Sequence, residues 1–208
     1  MAPGLRLLIF DRTCTGRPLL PGLSHAWIAG AWLYRGLRRF DARLPATSWD
    51  EALAWLAAVR PGEPIAEVQF WGHGKWGEAR IGADRLDAAA LRPGHPRHPA
   101  LRALRARLLP GGQALWWFRT CETLGAAPGH DLARRWTDFF GARVAGHTYI
   151  IGPWQSGLHS LAPGQDPTWS PREGLLAGTP QRPERAAWSA PGQPNTIHCL
   201  HGAVPPGY

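Results

Sequence analysis

Lysine is almost missing from this chain. Lys75 stands alone among 23 basic residues, so the formal charge of +8 is carried by arginine. The arginines are scattered, and no basic run of the kind that marks a nucleic-acid surface occurs. Richness in Arg, Ala, Gly and Pro with so little Lys is the composition of a GC-rich coding sequence, which accounts for the charge without a polyanionic partner. We therefore expect no nucleic acid among the partners. Cysteine is scarce as well: Cys14, Cys121 and Cys199 form neither a CxxC pair nor an even framework, which excludes a disulfide scaffold. No apolar run approaches the ~20 residues that span a bilayer, so no membrane partner is expected. The first residues pass directly into Leu5-Arg-Leu-Leu-Ile-Phe10, without the apolar region and small-residue cleavage site of a signal peptide. A reducing cytoplasm is the expected compartment, and it keeps a thiol available.

What is present suits one domain with a sizeable core: 208 residues, 44% of them apolar. Prolines and glycines crowd the last quarter, so an α/β domain over 1–152 followed by an irregular extension over 153–208, packed on the same domain, is expected. Leu5–Phe10 predicts a first strand, with loop at Asp11–Gly16 and Pro18–Gly22. Ser24 predicts the N-cap of a helix to Arg35, and Arg39–Leu44 a second strand. Ser48-Trp-Asp-Glu51 fits a capping box for a helix to Val59, stopped by Pro61 and Gly62. Ile65–Trp71 reads as a third strand, followed by a tight turn and short ribbon over Gly74–Gly82. Leu86–Leu91 predicts a short helix, Pro99–Leu109 a longer one, and Ala114–Phe118 a fourth strand. A helix opening at Gly129 or His130 runs to Phe140 with Gly141 as C-cap. Val144–Ile151 and Thr196–Leu200 are further strand candidates. Trp55, Trp71, Trp116 and Trp117 fall on these elements and read as core. Alternating strand and helix imply a mostly parallel sheet with helices on both faces.

Two apolar strands end in reactive residues. One is Ile65–Trp71, followed by Gly72-His73-Gly74; the other is Ala114–Phe118, followed by Arg119-Thr120-Cys121. A doubly wound sheet binds its ligands beyond the carboxyl ends of its strands, where His73 and Cys121 would both sit. A thiol beside an imidazole is the minimal set for nucleophilic catalysis by cysteine. The amides of Gly74 and Cys121 are candidates to face a developing oxyanion, and glycine at 74 permits the backbone angles this aiming needs. Arg119 and Asp11 are the candidates for reading a substrate side chain: Arg119 lies two residues before the thiol, and Asp11 ends the neighbouring strand, where it would alternatively pair with Arg119.

The order and spacing of these motifs, strand–Gly72-His73-Gly74 and then strand–Xaa-Xaa-Cys121, resemble the caspase-like cysteine peptidases of clan CD. With Gly125, Gly129-His-Asp-Leu-Ala-Arg-Arg-Trp136 and Gly141–Gly146 downstream, the chain looks most like bacterial CHAT-type domains. The resemblance covers residues 5–151. It implies a three-layer sandwich with sheet order 2-1-3-4 plus C-terminal strands, His73 as general base, Cys121 as nucleophile, a protein or peptide substrate, and no cofactor. Thr120 is bulkier than the small residue the family often carries before its cysteine, and the segment after Gly152 matches no member.

Two rivals stand beside this reading. His95, His98, His198, Cys199 and His201 are potential metal ligands, but their spacing matches no paired zinc signature, and proline flanks the two loop histidines. The other rival is a catalytically inactive caspase-like binding module that uses Trp154, Trp169 and Trp188 of the extension as anchors.

Overall fold

The computed structural model describes residues 4–17 and 20–208; within the expected Pro18–Gly22 loop, Pro18 and Leu19 lie outside the described residues. In chain order the elements are β1 (Leu5–Asp11), β2 (Gly16–Arg17), β3 (Leu20–Pro21), α1 (Leu23–Gly36), β4 (Ala42–Ala46), α2 (Trp49–Ala58), β5 (Ile65–Trp71), β6 (His73–Lys75), β7 (Glu78–Ile81) and β8 (Asp84–Asp87). After a 3-10 turn at Ala88–Leu91 come α3 (His98–Arg105), β9 (Leu115–Arg119), α4 (Ala126–Phe140), β10 (Arg143–His147), β11 (Trp154–Gln155), β12 (Leu158–Leu161), β13 (Leu175–Thr179), β14 (Arg182–Ala186) and β15 (Ile197–His198).

Six strands form the central sheet in the order β12-β10-β9-β5-β1-β4. All neighbours are parallel except β10 and β12. The expected order, second strand, first, third, fourth and then C-terminal strands, is the observed one. Period-two alternation sends Leu7 and Ile9 of β1, Val68 and Phe70 of β5, and Trp116 and Phe118 of β9 to one face. There they meet Trp49, Leu53 and Leu56 of α2, Leu101 and Leu104 of α3, and Leu132, Trp136 and Phe140 of α4. Full burial of each large apolar side chain contributes about 1.5–3 kcal/mol, so this face dominates the core. Helical cover of the opposite face is only partial. Ala31 and Tyr34 of α1 cover Leu8, Phe10 and Trp71. Beyond them Trp117, Ala145 and, from the edge strand, Leu158 are packed with Ile197, Val204 and Tyr208, residues of the proline-rich segment. That segment also supplies the edge strand β12, because the chain turns back after β10 instead of crossing over through a helix.

Local chemistry explains where elements begin and end. Ser48 accepts from the Glu51 amide at 3.2 Å, as the capping box requires, but the Glu51 carboxylate reaches the amide and hydroxyl of Thr47 instead of the Ser48 amide. Ser24 is not a cap: its hydroxyl donates to the Asp11 carbonyl, and α1 starts from Gly22. The second strand lies later than expected, at Ala42–Ala46. The stretch 86–91 divides between β8 and the 3-10 turn, which Asp87 caps by accepting from the Ala89 amide. Helix α3 stops at Arg105 because Arg107 turns away to donate to the carbonyls of Leu56, Val59, Arg60 and Glu63, closing the C-terminal end of α2. Helix α4 starts three residues before the expected glycine, and Gly141 ends it at φ +61°. Strand β10 ends at His147, after which residues 148–151 bond to the C-terminal segment through Gly157 and Ala187. Among the described residues no helix is long and apolar enough to cross a membrane.

Candidate active site

The carboxyl ends of β1, β5, β9 and β10 share one rim. Neighbouring strands β5 and β9 are in register with Trp71 opposite Arg119. Two residues further on each chain stand His73 and Cys121. The two segments remain in contact past the strand ends: a Cβ at position 74 would lie 2.6 Å from the Cys121 carbonyl oxygen and 2.7 Å from the Thr120 hydroxyl, so only glycine fits. The polypeptide bearing His73 therefore lies directly against the turn bearing Cys121.

That turn is built from side chains that hold backbone. Thr120 and Thr123 share a hydrogen bond of 2.6 Å, and Thr123 donates to the Cys121 carbonyl. This gives the larger residue at 120 a bracing role. The amides of Glu122 and Leu124 donate to the carbonyls of Tyr149 and His147, carrying the β9–β10 pairing past the strand ends. The tip of the β6–β7 ribbon reaches over, with the Gly77 amide donating to the Thr123 carbonyl. No carbonyl of the described residues accepts from the Cys121 amide.

His73 is half-buried and meets the edge of the Trp27 ring at 5.6 Å. The Cys121 sulfur lies 4.0 Å from the Ile151 carbonyl oxygen. Burial pushes the Cys121 thiol up to about 11, and the adjacent Glu122 adds to the rise. At neutral pH it is a thiol, so a thiolate has to be made during attack. Glu122 itself has φ +34°, a backbone conformation disfavoured for a non-glycine residue. Burial pushes its carboxyl up to about 7 against the opposing influence of Lys75 and Arg80.

Arg119 and Asp11 are placed away from the roles read from the sequence. The Arg119 guanidinium is buried against Trp117 and Trp71, at 4.8 and 5.7 Å from their ring centres. It donates to Gln155 and to the Cys199 carbonyl at 2.7 Å each. Alternation does put Arg119 on a defined face of β9, but the C-terminal segment covers that face. Asp11 does not pair with Arg119. Fully buried, it accepts from the amide and hydroxyl of Thr13 and from the Gly82 amide, which ties the loop after β1 to the ribbon. Both side chains are committed within the fold.

Of the metal-ligand candidates, His95 accepts from the Arg97 amide and His201 from the His198 amide. Among the described residues no three such ligands come together. Trp154 and Trp188 are exposed, whereas Trp169 is buried, stacked on His159 at 4.6 Å and bonded to the Leu124 carbonyl. Glu122 was not singled out by sequence reasoning. A carboxylate following the cysteine is visible there, but its burial without a partner is not. Compared with known proteins, the chain matches no family model and no curated protein sequence.

Proposed function

We infer that this protein is a caspase-like cysteine peptidase using His73 and Cys121. The observation that supports this reading is the meeting of the two motifs at one rim, 48 residues apart in sequence and on adjacent strands in register. In the reaction the Cys121 sulfur attacks the scissile carbonyl as its proton passes to His73. The oxyanion faces the amides of Cys121 and Gly74. Collapse breaks the C–N bond, and the His73 imidazolium returns the proton to the leaving amine. Water, deprotonated by His73, then hydrolyses the thioester. The route needs no cofactor, and a reducing cytoplasm suits the free thiol. With the thiol protonated at rest, substrate binding has to bring sulfur, imidazole and carbonyl together before the proton moves.

Digestion of a peptide library tests this. Wild-type protein is expected to cleave, and Cys121→Ala and His73→Ala to lose at least about 10³-fold in turnover. Cleavage that persists in Cys121→Ala would refute the reading. The resting thiol near 11 favours one alternative, a non-catalytic binding module on the same fold. Its signature is a wild-type protein that cleaves nothing and a Cys121 whose alkylation ignores His73→Ala.

A further inference from the structure

Next to the candidate nucleophile is a carboxylate that the fold leaves without a partner. Glu122 is more than nine-tenths buried, and its Oε2 is closed off from solvent with no hydrogen bond. Buried carboxylate oxygens are nearly always bonded, so an orphan one calls for a functional account. Two cations lie within electrostatic reach, and neither bonds to it. Arg80 is bonded to Glu78, and Lys75 stands over the Trp76 ring at 5.2 Å. The left-handed backbone at Glu122 costs energy that a glycine would avoid, and such strain concentrates at functional sites. Meanwhile the two residues expected to read a substrate, Arg119 and Asp11, are occupied inside the fold. Arg119 keeps one nitrogen, Nη1, unbonded, but its other donors are spent on Gln155 and Cys199; among the described residues the Glu122 carboxyl makes no hydrogen bond at all, and it is an acceptor.

We propose that Glu122 is the specificity-determining residue of the His73/Cys121 site and pairs with the guanidinium or ammonium of a basic side chain on the substrate. This rests on the peptidase reading above. A cation arriving at the carboxyl supplies the missing donor and draws off its proton, so capture of a basic side chain strengthens as pH rises through about 7. The charged and titratable groups around Glu122 are Lys75 and Arg80 on the ribbon and Cys121 on its own turn. A substrate cation has to outcompete the first two, of which Arg80 is bonded to Glu78.

The test is covalent labelling of Cys121, followed by intact-protein and peptide mass spectrometry. The probes are N-acetyl-arginyl, N-acetyl-lysyl and N-acetyl-norleucyl chloromethyl ketones. In wild-type protein at pH 8 the basic reagents are expected to label Cys121 about tenfold or more faster than the norleucyl reagent. In Glu122→Gln that ratio falls to about one, and circular dichroism verifies that the variant is folded. Labelling that depends on His73 but is indifferent to reagent charge, or a ratio that survives in Glu122→Gln, would overturn the role of Glu122 alone. Labelling by all three reagents that ignores His73→Ala would overturn the peptidase reading, and the role of Glu122 with it.

Discussion

Replacing Glu122 with glutamine should stabilise the fold at pH 8 far more than at pH 5. The carboxyl titrates near 4.5 when solvated and near 7 in the fold. Between those values the folded chain holds a proton that the unfolded chain has lost, so the wild type loses stability as pH rises through this window. At pH 5 the penalty is about 1 kcal/mol, and at pH 8, above both values, about 3 kcal/mol. Glutamine keeps the shape and cannot ionise, so its advantage over the wild type should be about 2–3 kcal/mol larger at pH 8 than at pH 5. The difference between two pH values matters here because any cost of burying the amide is the same at both. Urea unfolding of both proteins at the two pH values, followed by tryptophan fluorescence, measures it. An advantage that does not change with pH would show that the carboxyl is solvated or paired in the folded chain, and the account of the orphan acid would fail.

Two further outcomes follow from other parts of the molecule. Gly74→Ala forces a methyl against the Cys121 carbonyl and the Thr120 hydroxyl, so it should destabilise by about 1–3 kcal/mol and abolish labelling of Cys121 by the peptidyl reagents; unchanged unfolding curves would contradict the close approach. His147 is fully buried beside Trp117, donates through Nδ1 to the Ser156 carbonyl, and is held down to about 3 by desolvation. Its folded value is depressed, so the unfolded chain binds the extra proton, and up to about 4–5 kcal/mol of stability should be lost as pH falls from 6.5 towards 3. In His147→Phe the acid limb of a stability–pH curve should flatten over that range, and an unaltered limb would rule the histidine out.

The sequence by itself determined the main strands and helix caps; the order of the sheet came from the resemblance and is the one observed. Ile65–Trp71 has the same bounds in sequence and structure because a short apolar run between Pro64 and Gly72 leaves no alternative. Ser48 and Gly141 act as caps because capping depends on neighbours three or four residues away. The segments bearing His73 and Cys121 lie side by side because parallel strands joined by helices bring their carboxyl ends to one rim. Tertiary structure alone decided what each polar group spends its bonds on. Arg119 has the right position to read a substrate, but Cys199, 80 residues later, supplies the carbonyl that occupies it. Arg107 ends α3 by reaching carbonyls 44 to 51 residues upstream, against a helical pattern that continues to Leu109. The second layer over Trp117 is a strap of irregular chain, which no periodicity announces. Glu122 matters for a partner it lacks, and the absence of a bond is a property of the packed neighbourhood that no local pattern of residues records.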